Sequence, residues 1–200
     1  MKLHVYPPIQ ESSSERAMDE PIQPTRPPAS ASPDTEQRLW YLKNCNLIAQ
    51  LPTDEITHLE RVSRVRRFAK GEPVYLPSET ADAVYLIARG LVKICHITPE
   101  GKTSTLALIG AGELFGELAL FDAGQRGEYV EAIEPTTVVR IPSHVLSDLM
   151  HRHAALAIGI SKLVGFRRQR IERRLGNLLF TPNRQRLAHL LLDLAEQFGV

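Results

Sequence analysis

The chain has 200 residues, 43% of them hydrophobic, and its 24 Lys and Arg nearly balance its 23 Asp and Glu. Such a composition excludes a disordered chain, supplies one folded domain with something extra, and leaves no whole-chain pull toward nucleic acid or membrane, so any basic surface has to be local. Cys45 and Cys95 fit neither a CxxC pair nor a zinc spacing and read as buried reduced thiols; MKLHVYPPIQ has no apolar leader core, no run reaches the roughly 18 apolar residues of a spanning helix, and the chain is placed in the cytoplasm.

Residues 1–35 hold seven of the fourteen prolines together with ESSSER and ASASPD, a composition that cannot offset its ordering entropy by burial, so a mobile tail is expected there. From Glu36 the pattern turns helical. QRLWYLKNCNLIAQL carries Leu39, Leu42, Leu47 and Ile48 at helical spacing, and a second short helix restarts at Thr53 with Glu55 and Ile56 behind it.

Residues 66–141 contain eight of the twelve glycines, with short apolar or alternating runs between them: EPVYLP, AVYLIARG, LVKICHI, STLALIG, EYVEAIE and TTVVRIP. Strands this short with Gly and Pro punctuation predict a small antiparallel barrel or double-sheet roll. PEGK at 99–102 predicts a hairpin turn, and Pro73 and Pro77 assign the first strand to an edge.

After Pro142 the period is helical again, with Ser143 as N-cap of HVLSDLMHR. The longest candidate, ALAIGISKLVGFRRQRIERRLGNLLF, keeps a three-four rhythm through Leu156, Ile160, Leu163, Val164, Ile171, Leu175 and Leu178. A narrow stripe flanked by arginines predicts a dimer seam, interrupted at Arg167 and Arg168. Pro182 ends that helix, and a last one, NRQRLAHLLLDLAEQF, sets Leu187, Leu190, Leu191, Leu194 and Phe198 on one face.

Four stretches in order, RGLVKI at 89–94, ITPEGKTSTLALIGAGELFGELALF at 97–121, AIEPTTVVRIP at 132–142 and GNLLFTPNRQRLAHLLLDLA at 176–195, resemble the catabolite activator and fumarate-nitrate regulator (Crp/Fnr) family of bacterial transcription factors. The resemblance covers about residues 38–199. It implies an α+β fold: a cyclic-nucleotide-binding double-stranded β-roll (jelly roll) with flanking short helices and a long C-terminal dimerisation helix. The implied division is a tail at 1–35, a sensor roll at 36–152, the dimerisation helix at 153–181, and at 182–200 the first helix of a winged helix-turn-helix whose recognition helix lies beyond Val200. The implied partners are a second copy of the chain, DNA through that downstream domain, and RNA polymerase, without a membrane. Arg184 and Arg186, at the start of the last helix, would touch the DNA backbone.

The run FGELALFDAGQRGEYVEA suits an anion: helix-start amides supply oriented partial positive charge and a guanidinium supplies a planar donor fork. The resemblance makes Glu117 the acceptor for a ribose hydroxyl and Arg126 the partner of a cyclic phosphate, with Gly116, Leu118 and Gly127 completing the ligand-binding set. The pattern departs from cyclic-AMP binders at Gly127 and Glu128, and at Ile171 and Glu172 on the long helix, where polar adenine contacts would be needed. A carboxylate ~5 Å from the phosphate costs about 3 kcal/mol at an effective dielectric near 20. Glu128 can instead pair with Arg126. Control by cyclic AMP, by another anion, or by no effector all stay open. So does a purely structural cassette, in which Leu118, Leu120 and Phe121 are core and Arg126 is salt-bridged at the surface.

The Arg167, Arg168, Arg170, Arg173 and Arg174 run reads as solvated or paired across the seam, as with Glu172. Cys95 and His96 are strand neighbours on opposite faces, and His151 and His153 diverge on a helix, so neither pair makes a metal or haem site. With no GxSxG, P-loop or HExxH, the chain reads as a non-enzyme. A stand-alone cyclic-nucleotide-binding signalling module acting through protein contacts is the alternative to a DNA-binding regulator.

Overall fold

The near-continuous apolar runs AVYLIAR and TTVVRIP decide the architecture, because strands that are apolar on both faces have to be covered twice. The computed structural model describes residues 35–122, 124–180 and 183–199. Two helices, α1 (Thr35–Lys43) and α2 (Thr53–Val62), precede eight strands: β1 (Arg64–Phe68), β2 (Pro73–Tyr75), β3 (Ala83–Arg89), β4 (Val92–Ile97), β5 (Thr103–Ile109), β6 (Leu114–Phe115), β7 (Tyr129–Ala132) and β8 (Thr136–Pro142). A 3-10 helix at Glu117–Leu120 lies between β6 and β7, and α3 (Ser143–Arg152), α4 (Ala154–Phe180) and α5 (Asn183–Phe198) follow.

The strands form two four-stranded antiparallel sheets, in the orders β1-β8-β3-β6 and β2-β7-β4-β5. Val84, Leu86, Leu114, Val139 and Ile141 turn to the helical side, where they meet Leu42, Ile48, Leu59, Leu146, Leu149, Leu156 and Ile160. Their sequence neighbours Ala83, Tyr85, Ile87, Phe115 and Val138 turn inward to face Tyr75, Val92, Ile94, Ile109 and Val130 of the second sheet. Each Val, Leu, Ile or Phe among them stabilises the fold by roughly 1.5–3 kcal/mol when fully buried. The first sheet is therefore the partition between a helical layer and the roll interior.

Several expectations are met: the roll, the two short helices before it, the PEGK hairpin, where Gly101 takes φ 80°, and β2 with its proline at a sheet edge. Others are corrected. The first strand is β1, whose RVRRF pattern has no apolar alternation, and β6 has only two residues. The first helix stops at Lys43, because Asn44 turns its amide back to the Trp40 carbonyl at 2.7 Å and offers the chain an alternative to the next helical turn. Leu47 and Ile48 then sit on turns rather than on the helix, though Ile48 is still fully buried. Ser143 is the first helical residue and makes no side-chain cap; its amide donates to the Asp82 carbonyl instead.

The seam also needs correction. Leu156 and Ile160 are 2% and 1% exposed within the helical core and have no surface left for a partner, and Leu163 packs against that same core. Gly159 is what brings α4 down: a Cβ there would lie 2.5 Å from Leu47 Cδ2. Val164 is half-buried, while Ile171 and Leu175 stay exposed on the far part of the helix. The side chains of Leu178, Arg184, Arg186 and Phe198, along with Pro182 and the tail expected before Thr35, lie outside the described residues.

Candidate functional site

The short strand β6 ends at Gly116, which takes φ 72° and starts the 3-10 helix in a left-handed conformation that side-chain-bearing residues rarely adopt. Glu117 follows, 8% exposed, and its Oε2 accepts from Arg167 Nη1 of α4 at 2.6 Å. Arg167 also donates to the Leu114 carbonyl, so one side chain of the long helix ties α4 to both ends of this corner. Arg174, two helical turns on, donates to the Leu106 carbonyl of β5 at 3.1 Å.

Arg126 arrives from the opposite direction. Its backbone is clamped against residues 78–81 by Arg126 N to Glu79 O at 2.7 Å, Ser78 N to Arg126 O at 2.8 Å and Ala81 N to Gly124 O at 3.0 Å. The side chain, 6% exposed, runs inward, where Nη1 donates to Gly116 O at 3.1 Å and Nη2 donates to the Ala83 carbonyl. The guanidinium lies 4.4 Å from the Tyr75 ring centroid and 5.7 Å from that of Tyr85, whose ring stacks on Phe115 at 5.1 Å. Two carbonyls and an aromatic face thus hold a buried cation, and none of the ion pairs among the described residues gives it a carboxylate.

Gly116, Glu117 and Arg126 come together as the sequence implies. The Leu118 side chain is 54% exposed, and Phe121 is exposed too, so of the apolar residues expected in the core of this segment only Leu120 packs there. Gly127 is exposed, with open space where a Cβ would stand. Neither expectation for Arg126 as an ion pair holds. It is buried rather than at the surface, and Glu128 accepts instead from the Tyr75 hydroxyl at 2.6 Å. Burial holds the Tyr75 phenol far above its usual range, and the Glu128 carboxylate reinforces that shift.

Sequence reasoning missed Tyr75, Arg167 and Arg174. Tyr75 sits in a three-residue strand between two prolines, where an aromatic was the available signal. Arg167 was read as an interruption of the apolar stripe, although a charge in such a stripe is itself a sign of a specific partner. Arg168, by contrast, pairs within the helix to Glu172 at 2.7 Å rather than across a seam. Cys95 is buried and His96 exposed, as opposite strand faces require, and no group of three or more potential metal ligands occurs among the described residues. None of the described helices is long and apolar enough to cross a membrane.

Comparison with known proteins decides the family. The cyclic nucleotide-binding domain family matches residues 65–153, the span from β1 to the start of α4. The "Cyclic AMP receptor protein" of Thermus thermophilus is 30% identical over 156 residues, covering 78% of this chain and 72% of that protein. The chain belongs to the Crp/Fnr family. Another Crp/Fnr relative, the "CRP-like cAMP-activated global transcriptional regulator" of Mycobacterium tuberculosis, is 30% identical over 132 residues, 66% of this chain and 59% of that protein. The crystal structure of Thermus thermophilus catabolite activator protein superposes with a TM-score of 0.56 at 30% identity, over 76% of this chain and 71% of that one. The β-roll with its flanking helices and long α4 is thus the Crp/Fnr sensor fold.

The Glu117–Arg167 pair joins roll to helix in partly buried surroundings, with side-chain exposures of 10% and 14%, so it should be energetically visible. A double-mutant cycle of Glu117→Gln and Arg167→Met, measured by urea unfolding, is expected to give a coupling of about 1 kcal/mol. A coupling near zero would mean that the pair is incidental to the docking of α4.

Proposed function

We propose that this chain is the sensor and dimerisation part of a homodimeric Crp/Fnr-type transcriptional regulator. Residues 36–152 form the sensor, 153–181 the dimer helix, and 182–200 lead into a DNA-reading domain. A small anionic effector enters the roll at Gly116, Glu117, Leu118, Gly127 and Arg126. The observation that carries this reading is Arg126: a cation drawn into the roll, held by carbonyls and rings with no carboxylate in direct contact, keeps its donor groups for an incoming anion. Glu117 lies at the same corner and is tied to α4 through Arg167, so a ligand that competes for the carboxylate would loosen the helix from the roll. The relatives' names supply the transcriptional side, and the chain spans 72% and 59% of them, so DNA and RNA polymerase contacts belong to the proposal as well.

The test is selection of bound fragments from a random duplex library by the protein as expressed from its gene. A palindromic motif with half-sites roughly 34–36 Å apart is the expected product of a two-fold helix-turn-helix dimer. Recovery of no motif would favour the alternative, a cyclic-nucleotide-binding module acting through protein contacts.

A further inference from the structure

Tyr75 and Glu128, beside Arg126, bear on which anion this site can take, and the inference rests on Arg126 being the anion site. Tyr75 is 2% exposed and its ring lies against the Arg126 guanidinium, while the hydroxyl of the same ring donates to Glu128 Oε1 at 2.6 Å. One tyrosine therefore spans Arg126, the only buried cation among the described residues, and a carboxylate two residues further along the chain. A buried phenol needs an acceptor, and a carbonyl or water would have sufficed without adding charge. The choice of a carboxylate matters because an exposed glutamate could swing into solvent when an anion arrives, whereas Glu128 is anchored to a ring that packing holds still.

We propose that Tyr75 and Glu128 form a fixed anionic stop beside Arg126, which turns the site against cyclic nucleotide phosphodiesters. A like charge held ~8 Å from the phosphate, at an effective dielectric of about 20, weakens binding about thirtyfold. The hydrogen bond to Tyr75 makes that penalty persistent, since releasing Glu128 would leave the buried hydroxyl without its acceptor.

Calorimetric titration with cyclic AMP tests this on the wild type, on Glu128→Ser and on Tyr75→Phe. Glu128→Ser is expected to bind about thirtyfold more tightly than the wild type, and Tyr75→Phe to recover part of that gain by freeing the carboxylate. Near-UV circular dichroism checks that each variant is folded, and Glu128→Gln, which removes the charge at nearly constant shape, replaces the serine variant if that one is not. A folded charge-removed variant that binds no better than the wild type overturns the stop. Arg126→Lys in the tightest-binding background separates this from the parent reading. Binding that falls with Arg126→Lys but is equal in wild type and Glu128→Ser leaves the anion site standing and removes the stop; binding indifferent to Arg126→Lys removes both.

Discussion

Gly90→Ala is expected to lower the thermal midpoint of the protein by about 10 °C, from a destabilisation of roughly 3–4 kcal/mol. Gly90 connects β3 to β4 with φ 97°, and a Cβ there would meet Thr136 Oγ1 at 2.5 Å, Thr136 Cα at 2.7 Å and the Pro135 carbonyl at 2.8 Å. The backbone conformation alone costs a side-chain-bearing residue about 1–2 kcal/mol. The collision adds about 1–3 kcal/mol, because two of the three atoms belong to backbone and cannot step aside. Thr136 cannot rotate away cheaply either: its hydroxyl accepts from Leu91 N at 3.2 Å and donates toward the Glu134 carbonyl at 2.8 Å, and the residue is 2% exposed. Gly101→Ala is the control. It shares a positive φ of 80° but has nothing within 4 Å, so calorimetry should find it less damaging by several degrees. Equal shifts for the two variants would show that the crossing of residues 135–136 over the β3–β4 turn is looser than it looks.

Why the roll was legible and its contents were not follows from what a sequence pattern records. The apolar runs of AVYLIARG and TTVVRIP, with glycine at the corners, report strands covered on both faces, and the structure places their residues alternately in the helical core and the roll interior. RVRRF reports nothing of the kind, because β1 is an edge strand whose pairing with β8 is carried by backbone groups while most of its side chains face solvent. The site divides in the same way. Gly116, Glu117 and Arg126 were legible because their spacing carries the family's corner. Their partners were not: Arg126 bonds to carbonyls, which no side-chain pattern encodes, and Tyr75–Glu128 and Glu117–Arg167 join residues 53 and 50 positions apart.

The long helix shows the same limit and yields the second large effect. Its single apolar rhythm is two stripes laid over one another. Leu156, Ile160 and Leu163 turn to the roll, and Arg167 and Arg174 continue that stripe with guanidiniums that reach Glu117 and two carbonyls. Val164, Ile171, Leu175 and Leu179 fall on a second stripe by helical geometry, about a quarter-turn round, and the last three are 38%, 53% and 63% exposed. An apolar stripe left uncovered in one chain, beside a face already committed to the roll, is the surface on which a second copy would dock. Leu175→Arg is expected to place an unpaired charge in that contact and raise the dimer dissociation constant at least a hundredfold, with Ile171→Arg close behind. Light scattering should then report the 22.4 kDa monomer in place of twice that mass. Phe166→Asp changes a residue that is 65% exposed but lies off the second stripe, so it should leave the dimer intact. Leu156→Arg should instead unfold the helical core. A wild type that scatters as a monomer at tens of micromolar, or a Leu175→Arg variant that remains dimeric, would assign the second stripe to another partner.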